Sequence, residues 1–296
     1  MHNTVPQVPF WTWQLLVALA INVVVQAIQI GAYAARLAGV RTGRIATSIS
    51  LFNLFVTASR LATLVYTLML GPLSDRAGNA VKSLVTQPPT DMAAVAQIQH
   101  TFEWQLRAII FAGTLGTVVG SLMLPMFVYL YVRGVRSFER TKSLPHSLAR
   151  LFSPRVVWDV MRQLRMPALS ELRAFSTHNI PRRLLIFNVV VTGIYAIGVV
   201  AAYYASVLDV NVARTAIGIS GIINGIGTVA FTFFVDPTSS IIVDEAVKGE
   251  RPHQEVKAMV FYLSLTAIAG WLVSQLLLWP AAWIIAQVAH LVNHGK

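Results

Sequence analysis

The sequence predicts an all-α, polytopic integral membrane protein with six transmembrane helices and a basic, amphipathic cytoplasmic loop. Of its 296 residues, 55% are hydrophobic and only 12% are charged, whereas a soluble domain carries about 25% charged residues. The charges are also unevenly placed, and they leave stretches long enough for a helix of about 20 residues to cross the hydrocarbon core. A soluble domain of this size cannot cover that much apolar surface. The absence of cysteine excludes a secreted scaffold held by disulfides.

The six predicted spans follow the charge-poor stretches along the chain. Residues 1–35 contain no Asp, Glu, Lys or Arg, and the second span contains a single charge, Arg60. We expect Pro280 to end the last helix, because proline removes a helical hydrogen bond, and residues 281–292 to lie along the interface. The third helix could begin earlier than its apolar part, after a cap at Asp91. Within a single transmembrane domain of residues 1–296, the predicted helices lie near residues 10–37, 45–70, 107–132, 184–207, 214–235 and 257–279.

The distribution of lysine and arginine predicts the orientation. Loops on one side of the six spans hold 17 of these residues, of which 11 lie in the loop 133–183, and loops on the other side hold five. The positive-inside rule therefore places the loop 133–183 in the cytoplasm and both termini outside. In a membrane protein the net charge of +11 indicates basic loops beside anionic membrane lipids, so nucleic acid is not an expected partner. The oligomeric state stays open.

Two segments outside the membrane core have their own helical signals. Ser153 can cap a helix whose valine and methionine residues share one side, and we interpret it as a basic anchor on the inner leaflet. After the fifth span, Asp236 can cap a short helix with Pro237 in its first turn, and Gly249 can end it. A further role of Asp236 at the cytoplasmic mouth stays open.

Two glycine pairs with GxxxG spacing lie inside predicted spans. Gly116 and Gly120 belong to the third predicted helix, and Gly221 and Gly225 to the fifth. Such pairs usually allow two helices to pack closely, so we expect close packing at both; a helix that bends or slides is the functional alternative.

Polar residues inside the spans point to a hydrophilic cavity. They recur at helical spacing and so form a polar stripe along one face of the first helix. A second polar stripe, which includes Asn53, follows one face of the second helix. Interhelical hydrogen bonding is the alternative explanation. Two neighbouring helices with long stripes favour a cavity between them. The stripes on the first two helices consist of Asn22, Gln26, Gln29, Tyr33 and Arg36, and of Ser50, Asn53, Thr57, Arg60 and Thr67. Shorter sets recur in the fourth and fifth helices at Asn188, Thr192, Tyr195, Asn224, Thr228 and Thr232.

Arg60 is the most informative of these residues. It lies 15 residues into the second predicted helix, about 22 Å along its axis. A membrane-embedded arginine needs a partner, and the nearest acidic residues, Asp75 and Asp236, lie at predicted helix ends. An anionic ligand such as a phosphate would also fit, because the guanidinium group binds phosphate oxygens in pairs. Alternatively, Arg60 extends toward the outer headgroups.

Signatures of enzymes are absent from the sequence. It contains neither HExxH nor GxSxG. A GxSG sequence at Gly218–Gly221 is similar to that of rhomboid-type proteases, but the last span has no histidine before His290 to act as the base. We therefore expect no catalytic residue, no metal site and no cofactor. The absence of an acidic residue within the spans favours a carrier of an anion over a cation-coupled antiporter.

One region of the sequence resembles a known family of bacterial membrane proteins. It resembles the Amj family, whose members are alternate lipid II flippases unrelated in sequence to the MurJ group. Chain length, six spans and the Asp236-Pro237 segment are similar as well. The residues that carry the resemblance are 31–42 (GAYAARLAGVRT), Ile45, Ala46, 50–53 (SLFN), Ser59 and Arg60.

The resemblance implies a lipid II flippase of the bacterial inner membrane that serves peptidoglycan synthesis. Under this hypothesis Arg36, Arg41 and Arg44 would gather the pyrophosphate at the inner face, and Arg60 would receive it farther out. The polar stripes would pass the sugar and peptide groups, with Asp236 as a further candidate. The alternatives are a flippase of another polyprenyl phosphate or anionic lipid, and a membrane enzyme or scaffold of envelope synthesis that transports nothing.

Overall fold

The described part of the chain contains helices and no strand. This computed structural model describes residues 8–86, 90–142, Trp158 and 179–294. The helices are α1 (Trp13–Ala32), α2 (Ala34–Thr42), α3 (Ile45–Val85), α4 (Met92–Leu122), α5 (Leu124–Thr141), α6 (Arg182–Leu208), α7 (Ala213–Ala230), a π-helical turn (Phe231–Val235), α8 (Asp236–Lys248) and α9 (His253–His294). The anchor helix predicted after Ser153 lies outside the described residues, apart from Trp158, and stays a prediction.

Six helical segments in these ranges are long and apolar enough to cross a membrane, which confirms the predicted fold class. Two of these segments each contain more than one helix, because the backbone is locally irregular within the span. The first joins α1 to α2, and the fifth runs from α7 through the π-helical turn into α8. The segments are Trp13–Thr42, Ile45–Val85, Met92–Leu122, Arg182–Leu208, Ala213–Lys248 and His253–Asn293.

The third span begins and ends earlier than the predicted helix 107–132. The side chain of Asp91 accepts a hydrogen bond from the backbone N–H of Ala94, which caps α4 and starts it at Met92. α4 ends at Leu122, and α5 follows as a separate helix with a proline in its first turn. This proline has no N–H to continue the hydrogen bonds of α4. The single helix of the prediction is therefore two helices.

Two long helices continue through an internal proline. α3 passes through Pro72 to Val85, and α9 passes through Pro280 to His294. The prediction that Pro280 ends the last helix is therefore wrong. Within a membrane protein, neighbouring helices, serine and threonine side chains and local backbone adjustments compensate for one missing backbone hydrogen bond.

The connections between helices cluster at two opposite ends of the bundle. At one end Arg44 binds Glu139, and Arg251 binds both Glu245 and Glu255; we call this the basic end. Six consecutive spans require successive connections to lie on opposite sides of the membrane, and these contacts agree with that alternation. At the opposite end the N-terminal segment, α4, the α6–α7 turn and α9 are joined at Gln105–Phe10, Gln99–Leu208, Asp209–His290 and Thr215–Asn293.

The two GxxxG pairs have different surroundings. A Cβ atom at Gly116 would lie 2.3 Å from the carbonyl oxygen of Val23, so only glycine lets α4 approach α1 this closely. The expected close packing is confirmed there. At Gly221 and Gly225 an added Cβ would meet no described atom within 4 Å, so the same expectation is wrong for the chain as described.

α3 and α7 lie at the edge of the bundle. Both contact α6, but they form no extended interface with each other, and little of either is buried in comparison with the other spans. Ser48, near the start of α3, donates to the carbonyl of Ala35, and Tyr203 donates to that of Thr67 near the middle of α3. We call the space between α3 and the α7–α8 segment the lateral gap. α2 and α6, which contact both of its sides, form its base.

Candidate functional site

A buried arginine and an aspartate form an ion pair at the basic end of the lateral gap. Arg36 Nη2 lies 2.6 Å from Asp236 Oδ1, so the pair joins α2 to α8. The side chain of Arg36 is 9% exposed and that of Asp236 is 39% exposed. The guanidinium carbon of Arg36 also lies 5.4 Å from the ring centroid of Tyr33 and 5.5 Å from that of Phe52. The protein thus encloses the arginine, while its acidic partner lies on the open side.

One nitrogen of this guanidinium group has no hydrogen-bond acceptor. Arg36 Nη1 is buried and unbonded among the described residues. Leaving a buried donor unsatisfied costs about 1–3 kcal/mol, and more for a charged group. A second anionic oxygen within reach of Arg36 would satisfy this donor, and a phosphate supplies its oxygens in suitable pairs.

A hydrogen-bonded chain supports the ring of Tyr33 beside Arg36. The Tyr33 hydroxyl donates to Asn188 Oδ1 at 3.1 Å. Asn188 Nδ2 in turn donates to the carbonyl of Leu263 at 2.8 Å and to Thr266 Oγ1 at 2.9 Å. These bonds tie the α1–α2 junction to α6 and α9, and Asn188 is fully buried. The chain therefore holds the surroundings of Arg36 in place.

Local irregularities of the backbone position both members of the pair. α1 ends at Ala32 and α2 begins at Ala34, so Tyr33 occupies the junction between two helices. On the other side, the π-helical turn Phe231–Val235 comes directly before Asp236. Such a turn inserts an extra residue and redirects the side chains that follow, and it is frequent at functional sites.

Asp236 does not cap α8 as the sequence predicts. The residue at the cap position is Val235, no side chain there bonds the helix N-terminus, and the carboxylate of Asp236 binds Arg36 instead. A cap is unnecessary because the backbone enters α8 from the π-helical turn, whose carbonyls can accept the first N–H groups. Pro237 lies in the first turn, and Gly249, with φ of 79°, ends the helix, as predicted.

The polar stripe of α3 lies on an exposed face of the helix. Asn53 and Arg60 share an exposed face of this helix. Phe52, next to Asn53, contacts Arg36, and Tyr203 of α6 reaches Thr67 farther along α3. These contacts join α3 to α2 and α6 through residues other than Asn53 and Arg60.

Arg60 has neither of the acidic partners that the sequence offers. Asp236 is bound to Arg36, and no ion pair or hydrogen bond joins Arg60 to Asp75 or to any other described residue. Its guanidinium group is exposed on α3. Among the described residues, no carboxylate therefore neutralises Arg60.

The stripe of α1 is divided between two surroundings. Asn22 is 2% exposed, and its Nδ2 donates to the carbonyl of Ile109 in α4 at 2.8 Å. Gln26 Nε2 donates to Asn22 Oδ1 at 3.0 Å, and Gln29 is half-buried. At Asn22 the structure thus has the interhelical hydrogen bond that was the alternative to a cavity. Tyr33, farther along the stripe, borders the site.

The three arginines expected to act together at the inner face have three different surroundings. Arg36 is buried in its ion pair, whereas Arg44 is exposed and binds Glu139 of α5. Arg41 is exposed and lines a separate opening beside α5 and α9. All three lie at the basic end, but only Arg36 belongs to the site at the lateral gap.

Phe52 and Asn188 contribute to the site although the site prediction did not include them. Asn188 carried a signal, since it belongs to a short polar stripe on α6. A phenylalanine in a membrane span carries no such signal, because the same side chain is suited to lipid contact and to contact with a site residue. Its role follows from the position of α3 against α2.

The family of the chain follows from comparison with known proteins. The family model described as "Amj: Alternate to MurJ" matches residues 21–289. The chain belongs to the Amj family. A relative named Lipid II flippase Amj, from Bacillus subtilis (strain 168), is 34% identical over 276 residues, which are 93% of this chain and 96% of the relative. No solved structure matches the chain. The Amj match confirms the resemblance, and it includes Arg36, Arg60 and Asp236.

Proposed function

We propose that this chain is a flippase that moves lipid II, the polyprenyl diphosphate precursor of peptidoglycan, from the inner to the outer leaflet. Membership of the Amj family supports this activity, and so does a relative named for it. Six membrane spans support transport as the activity, and transport of a lipid requires no covalent step.

The observation that carries the proposal is the buried Arg36 with an unbonded Nη1. The pair with Asp236 neutralises the guanidinium charge but leaves one donor free. Asp236 lies on the open side, where a diphosphate oxygen could compete for the same guanidinium group. Arg36 would then exchange a protein carboxylate for a substrate phosphate and release it again when Asp236 returns.

The lateral gap supports a route in which the lipid tail stays in the membrane. Apolar residues of α3 and α7 such as Leu61 and Ile222 are exposed, so a polyprenyl chain can lie against these helices. The polar stripe with Asn53 and Arg60 offers partners for the headgroup farther along α3. Arg36 at the basic end and Arg60 nearer the middle of the span would bind the diphosphate in turn, as in alternating access.

The direction of transport depends on the orientation of the chain. The excess of lysine and arginine in the odd-numbered loops supports a cytoplasmic basic end and outer termini. With this orientation lipid II meets Arg36 first, from the leaflet in which it is made.

The test is flipping of a fluorescent lipid II analogue in vesicles that contain only the purified chain. Arg60→Leu should insert normally and abolish flipping. Arg60→Lys should slow flipping about tenfold, because lysine keeps the charge but loses the paired hydrogen bonds to phosphate. Lys82→Leu removes a charge from the same helix beyond the gap and should flip at the wild-type rate.

Two results would contradict the proposal at different levels. An Arg60→Lys variant that is as fast as wild type would show that Arg60 only extends to the headgroups. Wild-type vesicles that do not accelerate lipid II flipping over protein-free vesicles would reject the flippase itself.

A further inference from the structure

A second opening lies on the other side of α2, between α5 and α9. It has a volume of about 810 Å³. α2 contacts both helices and forms the base of the opening, and the C-terminal end of α4 closes its far end. α5 and α9 share no extended interface. We call this opening the α5–α9 groove.

The groove is apolar along its length and cationic at one end. On α9 it begins at Lys257 and continues to Ile268, eleven residues or about 16 Å farther along. On α5 it runs in the opposite chain direction, from Leu124 to Arg136. Arg41 completes the lining on α2. All three cations therefore lie toward the basic end, and the apolar residues lie toward the middle of the membrane.

Three cations line this groove, and the described residues offer none of them a carboxylate partner. Arg41, Arg136 and Lys257 have no ion pair with a carboxylate among the described residues. Four of the other cations at the basic end do have such partners. A charge that a protein leaves unpaired beside an apolar groove favours an anionic ligand over an apolar one. The paired cations of comparison are Arg36, Arg44, Lys248 and Arg251.

The side of the groove is open to the membrane. Leu122 at its far end and Leu265 on its α9 wall are 42% and 49% exposed. Both lie in membrane-spanning helices, where an exposed leucine contacts lipid chains. A lipid can therefore enter sideways without taking its tail out of the hydrocarbon.

We propose that the α5–α9 groove binds a polyprenyl diphosphate lipid before it reaches the lateral gap. The diphosphate would lie among Arg41, Arg136 and Lys257, and the first isoprene units would lie along the apolar part. Three unpaired cations match the charge of a diphosphate better than that of the single phosphate of a diacyl phospholipid. The identity of the lipid rests on the proposed function. The location of the site rests on the groove itself.

Binding of undecaprenyl diphosphate to the full chain in phosphatidylcholine nanodiscs tests this assignment. Each single substitution of Arg41, Arg136 or Lys257 to Gln should weaken binding about threefold, and the triple variant should weaken it at least about tenfold. Arg140→Gln removes the same charge one turn farther along α5, outside the groove lining, and should bind as wild type does. Leu265→Trp should weaken binding by filling the apolar wall without loss of charge.

Competition with phosphatidylglycerol and measurement of lipid II flipping distinguish failure of the groove from failure of the proposed function. Phosphatidylglycerol that displaces undecaprenyl diphosphate at equal concentration would overturn the choice of a diphosphate lipid. Unchanged binding in both the triple variant and Leu265→Trp would overturn the groove, even if the wild type flips lipid II. Conversely, binding that the triple variant loses, in a chain that does not flip lipid II, would support the groove and reject the proposed function.

Discussion

Removal of Asp236 leaves the charge of Arg36 buried without its partner. Breaking a fully buried ion pair costs about 3–5 kcal/mol. Because Asp236 is 39% exposed, water can partly replace it, and we expect Asp236→Ala to lower the free energy of unfolding by about 1–3 kcal/mol. Thermal melting of the purified chain in nanodiscs, followed by tryptophan fluorescence, measures this loss.

Asp244 provides the matched control within α8. It binds Lys248 one turn later, and both side chains are more than half exposed, at 52% and 58%. An exposed pair of this kind contributes little to stability, so Asp244→Ala should melt as wild type does. An Asp236→Ala variant that also melts as wild type would refute the argument that Arg36 depends on its acidic partner.

A double variant separates stability from transport. Arg36→Met with Asp236→Leu leaves no unpaired charge and should recover most of the lost stability. It should still fail to flip lipid II, because no guanidinium group remains at the basic end of the lateral gap to bind the diphosphate first. Asp236→Asn should bind the diphosphate more tightly than wild type and flip it more slowly, since the competing carboxylate is gone. A stable and fully active double variant would show that the pair is only structural.

Two further predictions concern α1 and the orientation of the chain. Asn22→Leu should cost about 0.6 kcal/mol through the lost bond to Ile109 and leave flipping per folded molecule unchanged; abolished flipping at unchanged melting temperature would instead place Asn22 in the transport route. Because the chain has no cysteine, single cysteines at the exposed Asn211 and Glu250 report sides cleanly. An impermeant reagent should label Asn211→Cys in intact cells and Glu250→Cys only after permeabilisation, and the reverse pattern would invert the proposed topology.

Helix boundaries show where local reasoning succeeds and where it does not. The cap at Asp91 and the end of α8 at Gly249 follow from short-range chemistry, so the sequence suffices for them. Pro280 is different, because its effect depends on whether neighbouring groups compensate for the missing hydrogen bond. That compensation belongs to the packed bundle, and a rule that considers proline alone predicts a break that is absent.

The polar stripes also show what the local sequence predicts and what only the packing decides. Helical spacing predicts Asn22 and Arg36 on one face of the first span, but the break at Tyr33 puts them in two different helices. The spacing also does not distinguish a side chain that bonds a neighbouring helix from one that borders an opening. Asn22 bonds α4, whereas Arg36 meets Asp236, a residue 200 positions away. The same limit applies to Arg60, for which the sequence offers Asp236 as a partner. The packing of α2 against α8 gives that carboxylate to Arg36 instead.

Composition and charge distribution by themselves determined that this chain is a six-span helical membrane protein. A span must bury about 20 apolar residues in hydrocarbon and satisfy its backbone internally, so length and polarity suffice to reveal it. The tertiary structure alone decided that Arg36 is buried against Asp236 and that α3 and α7 stand apart. Between helices, hydrocarbon provides little driving force for association, and contacts depend on close packing at glycines such as Gly116 and on hydrogen bonds between distant residues. Those partners have no fixed spacing along the chain.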